Sequence, residues 1–180
     1  MVSPTDQARW NALRRAARES GREIAPEWRS RALFMQWLEE EEFQIRLKLG
    51  SKVKLFFTTK FAQFDPKDVC IGPDNSGLVT EEIVHSLRAG GKATGLPLGV
   101  ARDSSMRTLA FQALVVSGRE RHRKWHATAY DAHAYWQRKK VLVLEKQTHK
   151  LKYDGWVPLF EKAIASIRED LRLGRETVLN

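Results

Sequence analysis

The sequence predicts an α+β protein: N-terminal helices with a β-hairpin, then three short strands, a long helix and a C-terminal helix. Three observations carry that expectation. Apolar residues recur at helical spacing near both ends of the 180-residue chain. They alternate with polar residues through 43–57, and shorter strand-like runs follow in 98–126. Between those stretches Ala89 to Gly95 holds three glycines in seven residues, the one clear linker. The expected organisation is an α+β region over 1–88, the linker at 89–95, a basic domain over 96–150 and a last helix within 151–180.

Ser3-Pro4 opens the first expected helix, with Pro4 where its missing N–H costs nothing. Trp10, Leu13, Ala16 and Ala17 line one face, and Gly21 ends it. Pro26 opens a second helix, Glu27 to Glu42, with Trp28, Ala32, Met35 and Leu38 near one stripe. Glu39 to Glu42 then sit at its C-terminus, where acidic residues oppose the helix dipole. Phe43, Ile45, Leu47 and Leu49, then Val53, Leu55 and Phe57, flank Gly50-Ser51. That reads as a hairpin whose other face carries Arg46, Lys48, Lys52 and Lys54. Asp65-Pro66 and residues 72–75 mark turns around a short strand at Val69 to Ile71. Thr80 caps a short helix with Glu81 and Glu82 in its first turn. Strands follow at Leu98–Asp103, Thr108–Val116 and Arg119–His126, with Ser117-Gly118 as the second connection. Thr128 caps a helix to about Lys150, Gly155 breaks the chain, and a final helix runs from about Pro158 to Leu173.

The net charge is +9, and its placement is informative. Residues 88–150 hold 13 Lys/Arg and 4 Asp/Glu, a net of +9, while the other 117 residues hold 18 of each and cancel. A localised excess is the footprint of a polyanion binder, expected here as one continuous cationic face. The bland alternative is a solvated basic surface. One cysteine, Cys70, forms no intramolecular disulfide and is consistent with a reducing compartment, so a cytoplasmic location is expected. The N-terminus has no apolar signal-peptide core, and no apolar run is long enough to span a membrane.

The stretch from residue 96 resembles the AP2 DNA-binding domain as found in bacteriophage proteins. The residues that carry this are Leu96-Pro97-Leu98-Gly99-Val100, Phe111 and Ala113 in the second strand, and Ala127 to Trp136 opening the helix. The preceding stretch, Phe64 to Ile71 and on to Ile83, looks like the reduced HNH-like module that precedes that domain in those phage proteins. The resemblance spans roughly residues 60–150. It implies a three-stranded antiparallel sheet packed on the helix, with the exposed sheet face laid into the DNA major groove. It also implies a phage-encoded regulatory or protective role in the host cytoplasm. Where the family places arginine after Gly-Val, this chain has Ala101 and then Arg102. Leu114 and Val116 stand at second-strand positions the family fills with charge, and Arg123-Lys124 stand where it has Leu-Gly.

Alternation within the third strand puts Arg119, Arg121, Arg123 and Trp125 on one face, and Glu120, His122, Lys124 and His126 on the other. Arginines two residues apart lie about 7 Å apart, close to the phosphate spacing along a strand. Trp125 is read as a core anchor more readily than as a base-stacking platform. The expected nucleic-acid contacts are Arg102, Arg107, Gln112, Arg119, Arg121, Arg123, Lys124, Arg138, Lys139 and Lys140.

Enzyme chemistry finds little support. His122 and His126 are too far apart on a strand to chelate one ion easily, and no His-Glu-x-x-His pattern occurs, so no metal is expected. An HNH nuclease needs a histidine base and metal ligands, yet no histidine precedes His85. Asp65, Asp68 and Asp74 read as turn residues, and Cys70 as a small strand residue rather than a nucleophile. No cofactor or small-molecule substrate is expected. The leading partner is nucleic acid, with double-stranded DNA favoured. The alternatives are a host protein bound through the basic surface, suggested by Leu114 and Val116, and single-stranded nucleic acid.

Overall fold

A computed structural model describes residues 4–58, 70–73, 76–87, 95–105, 108–117 and 120–177. The Asp65-Pro66 turn, Asp68, Asp74, most of the 89–95 linker, Gly118, Arg107 and Arg119 lie outside the described residues.

Helix α1 spans Pro4–Ser20 and closes on Gly21, whose φ of 66° suits a residue without a Cβ. Strand β1, Glu23–Ile24, follows, and a single 3-10 turn at Pro26–Trp28 leads to helix α2, Arg31–Leu49. Ser30 caps α2 by accepting from the Leu33 N–H at 3.3 Å. Pro26 therefore opens only the 3-10 turn, and the helix proper begins five residues later.

The expected hairpin over 43–57 is not formed. Its first half is the end of α2, and only Phe56–Thr58 is strand, β2. The alternation was ambiguous because Ile45 and Leu49 serve both periods: with Phe34 and Leu38 they continue a helical stripe. Ile45 is 0% exposed, while Phe43 and Leu47 are 59% and 68% exposed, as a helix requires and a one-faced hairpin does not. The glutamate run thus lies inside a helix, not at its end. Glu42 pairs with Arg46 at 2.6 Å and reaches Arg9 of α1 at 3.3 Å. Burial works against the Glu42 carboxylate, but the two guanidiniums outweigh it and hold its pKa below the ordinary value.

Strand β3, Cys70–Ile71, pairs in parallel with β1, and β4, Gly77–Val79, pairs antiparallel with β2. Helix α3, Glu81–Leu87, starts at Thr80, whose hydroxyl faces the Ile83 N–H at 3.5 Å. Strands β5, Val100–Arg102, β6, Phe111–Ser117, and β7, Glu120–His126, form an antiparallel sheet in the order β5-β6-β7. Thr128 caps helix α4, Ala129–Thr148, and helix α5 spans Val157–Arg172. Among the described residues no helix is long and apolar enough to cross a membrane.

Two hydrophobic cores result. The larger gathers Leu13, Trp28, Phe34, Ile45, Leu78 and Ile83 with Leu144 of α4 and Phe160 and Ile167 of α5. Trp10, Trp28, Phe34, Trp37 and Phe57 form its aromatic centre, with ring centroids 4.5–6.4 Å apart. The Trp156 indole N–H donates to the Leu78 carbonyl at 2.8 Å and ties the start of α5 to β4. The smaller core joins Leu98, Val100, Ala113 and Val115 of the sheet region to Ala132, Trp136 and Val143 of α4. Helix α4 therefore belongs to both cores, and α5 completes the N-terminal one rather than standing apart.

Gly99 shows how tightly the sheet sits on α4. Its φ is 70°, and a Cβ there would come within 1.9 Å of the Trp136 ring. His133 adds a polar tie. Its Nδ1–H donates to the Leu98 carbonyl at 2.9 Å, because Nε2 must accept from the Thr177 N–H at 2.9 Å. Gln137 donates to the Arg175 carbonyl at 2.9 Å and to the Thr177 hydroxyl at 2.8 Å, so the segment after α5 is held against α4.

Candidate nucleic-acid interface

The pairing register sorts the side chains of the three-stranded sheet. Antiparallel partners share a face, and Val100, Ala113 and Val115 are buried against α4. Their neighbours must therefore point outward: Ala101, Gln112, Leu114, Val116, Arg121, Arg123 and Trp125. Gln112 sits between Ala101 and Trp125, Leu114 opposite Arg123, and Val116 opposite Arg121. Arg121 and Arg123 are exposed, and neither is in an ion pair among the described residues. Val116 is 49% exposed, and Leu114 and Trp125 are half-buried yet belong to neither core. Trp125 is thus not the core anchor expected of it: it shares the phase of the arginines and lies on the face turned away from α4.

The remaining expected contacts separate. Arg102 pairs across from Phe111, on the helix side of the sheet, with its guanidinium 5.8 Å from that ring. Lys124 pairs with Ala113 and points to the same side, yet β7 is the end strand of the sheet among the described residues, and its ammonium lies over the Tyr135 ring at 5.5 Å. Arg138 is exposed on α4, and Lys139 lies 5.8 Å from the same Tyr135 ring. Tyr135 and His126, rings 5.4 Å apart, complete this flank, and neither was anticipated as part of it. Burial first, then Lys124 and Arg138, push the His126 pKa down, with Asp131 opposing.

Lys140 does not belong to any surface. It is 3% exposed, and its ammonium donates to the Ser86 carbonyl of α3 at 2.6 Å. Burial lowers its pKa to about 8. The helix phase explains this, since Trp136, Lys140 and Leu144 are successive i, i+4 positions on a buried stripe. Of the expected contacts that are described, Arg121 and Arg123 lie on one side of β7 and Lys124, Arg138 and Lys139 on the other, with Arg102 apart and Lys140 inside, so these seven do not form one continuous face.

Little else in the described residues offers chemistry. No cluster of three His, Cys, Asp or Glu is placed to hold a metal ion there. A depression of about 160 Å³ lies between α2, β4 and the start of α5, walled by Trp37, Trp156 and Leu159 with Glu41 at its lining. Burial raises the Glu41 pKa, although a hydrogen bond from Tyr153 opposes the rise. No histidine or cysteine is among the residues that line it. No protein-family model, curated protein or solved structure matches this chain.

Proposed function

We propose that this protein binds nucleic acid, with duplex DNA as the principal ligand, through the outer face of its three-stranded sheet. The observation that carries the reading is the composition of that face. Two arginines, in no ion pair among the described residues, are aligned along β7 beside an amide, two aliphatic side chains and a tryptophan, none of them used by either core. Each has a matching chemistry in a groove. The guanidiniums meet phosphates or guanine edges, Gln112 suits the adenine edge, and Leu114 and Val116 suit thymine methyls. The AP2-like assignment of residues 96–150 is part of this proposal, as is a non-enzymatic, phage-type regulatory or protective role.

The test is duplex binding across a salt series. Neutralising a phosphate releases about one counterion, so Arg121→Ala/Arg123→Ala lowers the slope of log affinity against log salt by about 2. Failure of the unaltered protein to bind any nucleic acid at low salt overturns the proposal.

The position of Trp125 favours a second reading, single-stranded nucleic acid. A stacked base contributes about 1–3 kcal/mol. If single strands are the ligand, Trp125→Ala weakens their binding by about five- to 150-fold and leaves duplex binding nearly unchanged.

A further inference from the structure

The helix-side flank of β7 gathers more positive charge than the fold uses. The Lys124 and Lys139 ammoniums lie 5.5 and 5.8 Å from one tyrosine ring, and Arg138 is on the same stretch of α4. One cation is attracted to the face of an aromatic ring, but a second cation on the same ring is opposed by the first. The nearby carboxylate, Asp131, accepts from the Thr128 hydroxyl at 2.7 Å in the cap of α4. His126 at the inner rim has a buried Nε2 without a hydrogen-bond partner among the described residues. This flank is therefore a cationic patch with one buried nitrogen left over, and β7 alone separates it from Arg121 and Arg123.

We propose that nucleic acid is held across the β7 edge. Arg121 and Arg123 take phosphates on the outer side, while Lys124, Arg138 and Lys139 form a second phosphate site around Tyr135 on the helix side. The inference rests on the nucleic-acid reading above and changes its geometry: the strand edge acts as a ridge with cations on both slopes. A major groove is about 12 Å wide and lined on both sides by phosphates, so such a ridge meets both walls. A sheet laid flat on its outer face meets them with one side only.

The groups facing His126 are Lys124 from its own strand and Asp131, Tyr135 and Arg138 from α4. A phosphate entering among them adds negative charge and raises the pH at which His126 titrates. Two experiments test the proposal. In the first, duplex binding across a salt series compares Lys124→Met/Lys139→Met with Lys150→Met/Lys152→Met, which removes equal charge away from the flank. The flank variant lowers the slope by about 2, and the control leaves it unchanged. In the second, inorganic phosphate alone is titrated while the His126 and Tyr135 ring signals are followed by NMR. Both move, His126 titrates at higher pH, and the flank variant abolishes the response.

An unchanged slope in the flank variant overturns the proposal and leaves the outer-face reading standing. So does an equal fall in the control, which would mean that total charge alone matters. Phosphate shifts without a slope change also overturn it, because the site would then serve free phosphate. Loss of all duplex binding by the unaltered chain removes both readings.

Discussion

The two cores on either side of α4 are built from similar residues but differ in how completely they are enclosed. The N-terminal core wraps its aromatic centre with four helices, α1, α2, α3 and α5, two short strand pairs and part of α4. Among the described residues the sheet core is covered on one side only, by another part of α4, and its outer face carries polar and apolar side chains together. The sequence outside 88–150 is charge-balanced, whereas the net positive charge falls in the segment that contains the sheet and α4. A small sheet of this kind depends on a few large contacts, so the cost of losing each one measures how far it borrows stability from its neighbour.

The largest effect is expected at Trp136. Trp136→Ala removes the ring on which Gly99, Ala113 and Val115 rest and costs about 3–5 kcal/mol by chemical denaturation. If the larger core shelters α4 independently, backbone protection from hydrogen exchange is lost in β5 to β7 and kept in α1 and α2. Equal loss in both regions would erase the distinction between them.

Lys140 comes next, since it lies at the junction. Its pKa is about 8 when folded and near 10.5 when unfolded, so between those values the unfolded chain holds more protons. Stability therefore rises with pH across that window, by up to about 3 kcal/mol, and the gain is lost as pH falls back through 8. Lys140→Met removes that rise and, under the proposed function, leaves the salt dependence of duplex binding unchanged. A reduced salt slope would return Lys140 to the interface.

The smallest effect is expected where the last described residues meet α4. Gln137→Leu deletes two hydrogen bonds and leaves the Thr177 hydroxyl buried without that donor, a cost of about 1–3 kcal/mol. The loss reads out as lower thermal stability with unaltered binding. A change in affinity would mean that this tie shapes the outer sheet face.

Legibility from sequence divided along similar lines. The caps at Gly21, Thr80 and Thr128, the three strands and α4 were visible because short-range chemistry specifies them. The inward phase of Ala113 and Val115 was visible for the same reason. The end of α2 was not, because Ile45 and Leu49 fit a period of two as well as they fit 3.6. Only the burial of Ile45 beside exposed Phe43 and Leu47 decides between them. At the interface, the outward phase of Arg121 and Arg123 was legible, and the same phase should have carried Trp125 with them. Lys140 was counted as surface charge although its spacing from Trp136 and Leu144 marked it as internal. The Tyr135–His126 flank needed tertiary information, since it exists only where β7 crosses α4.

The place of β7 at the end of the sheet among the described residues has a further consequence. An end strand is a template on which a second copy can add its own strand, and many small sheets aggregate by that route. Here the margin carries cationic side chains on both slopes, so two copies approaching edge to edge repel. Variants that discharge both slopes at once are therefore expected to lose solubility before they lose their fold.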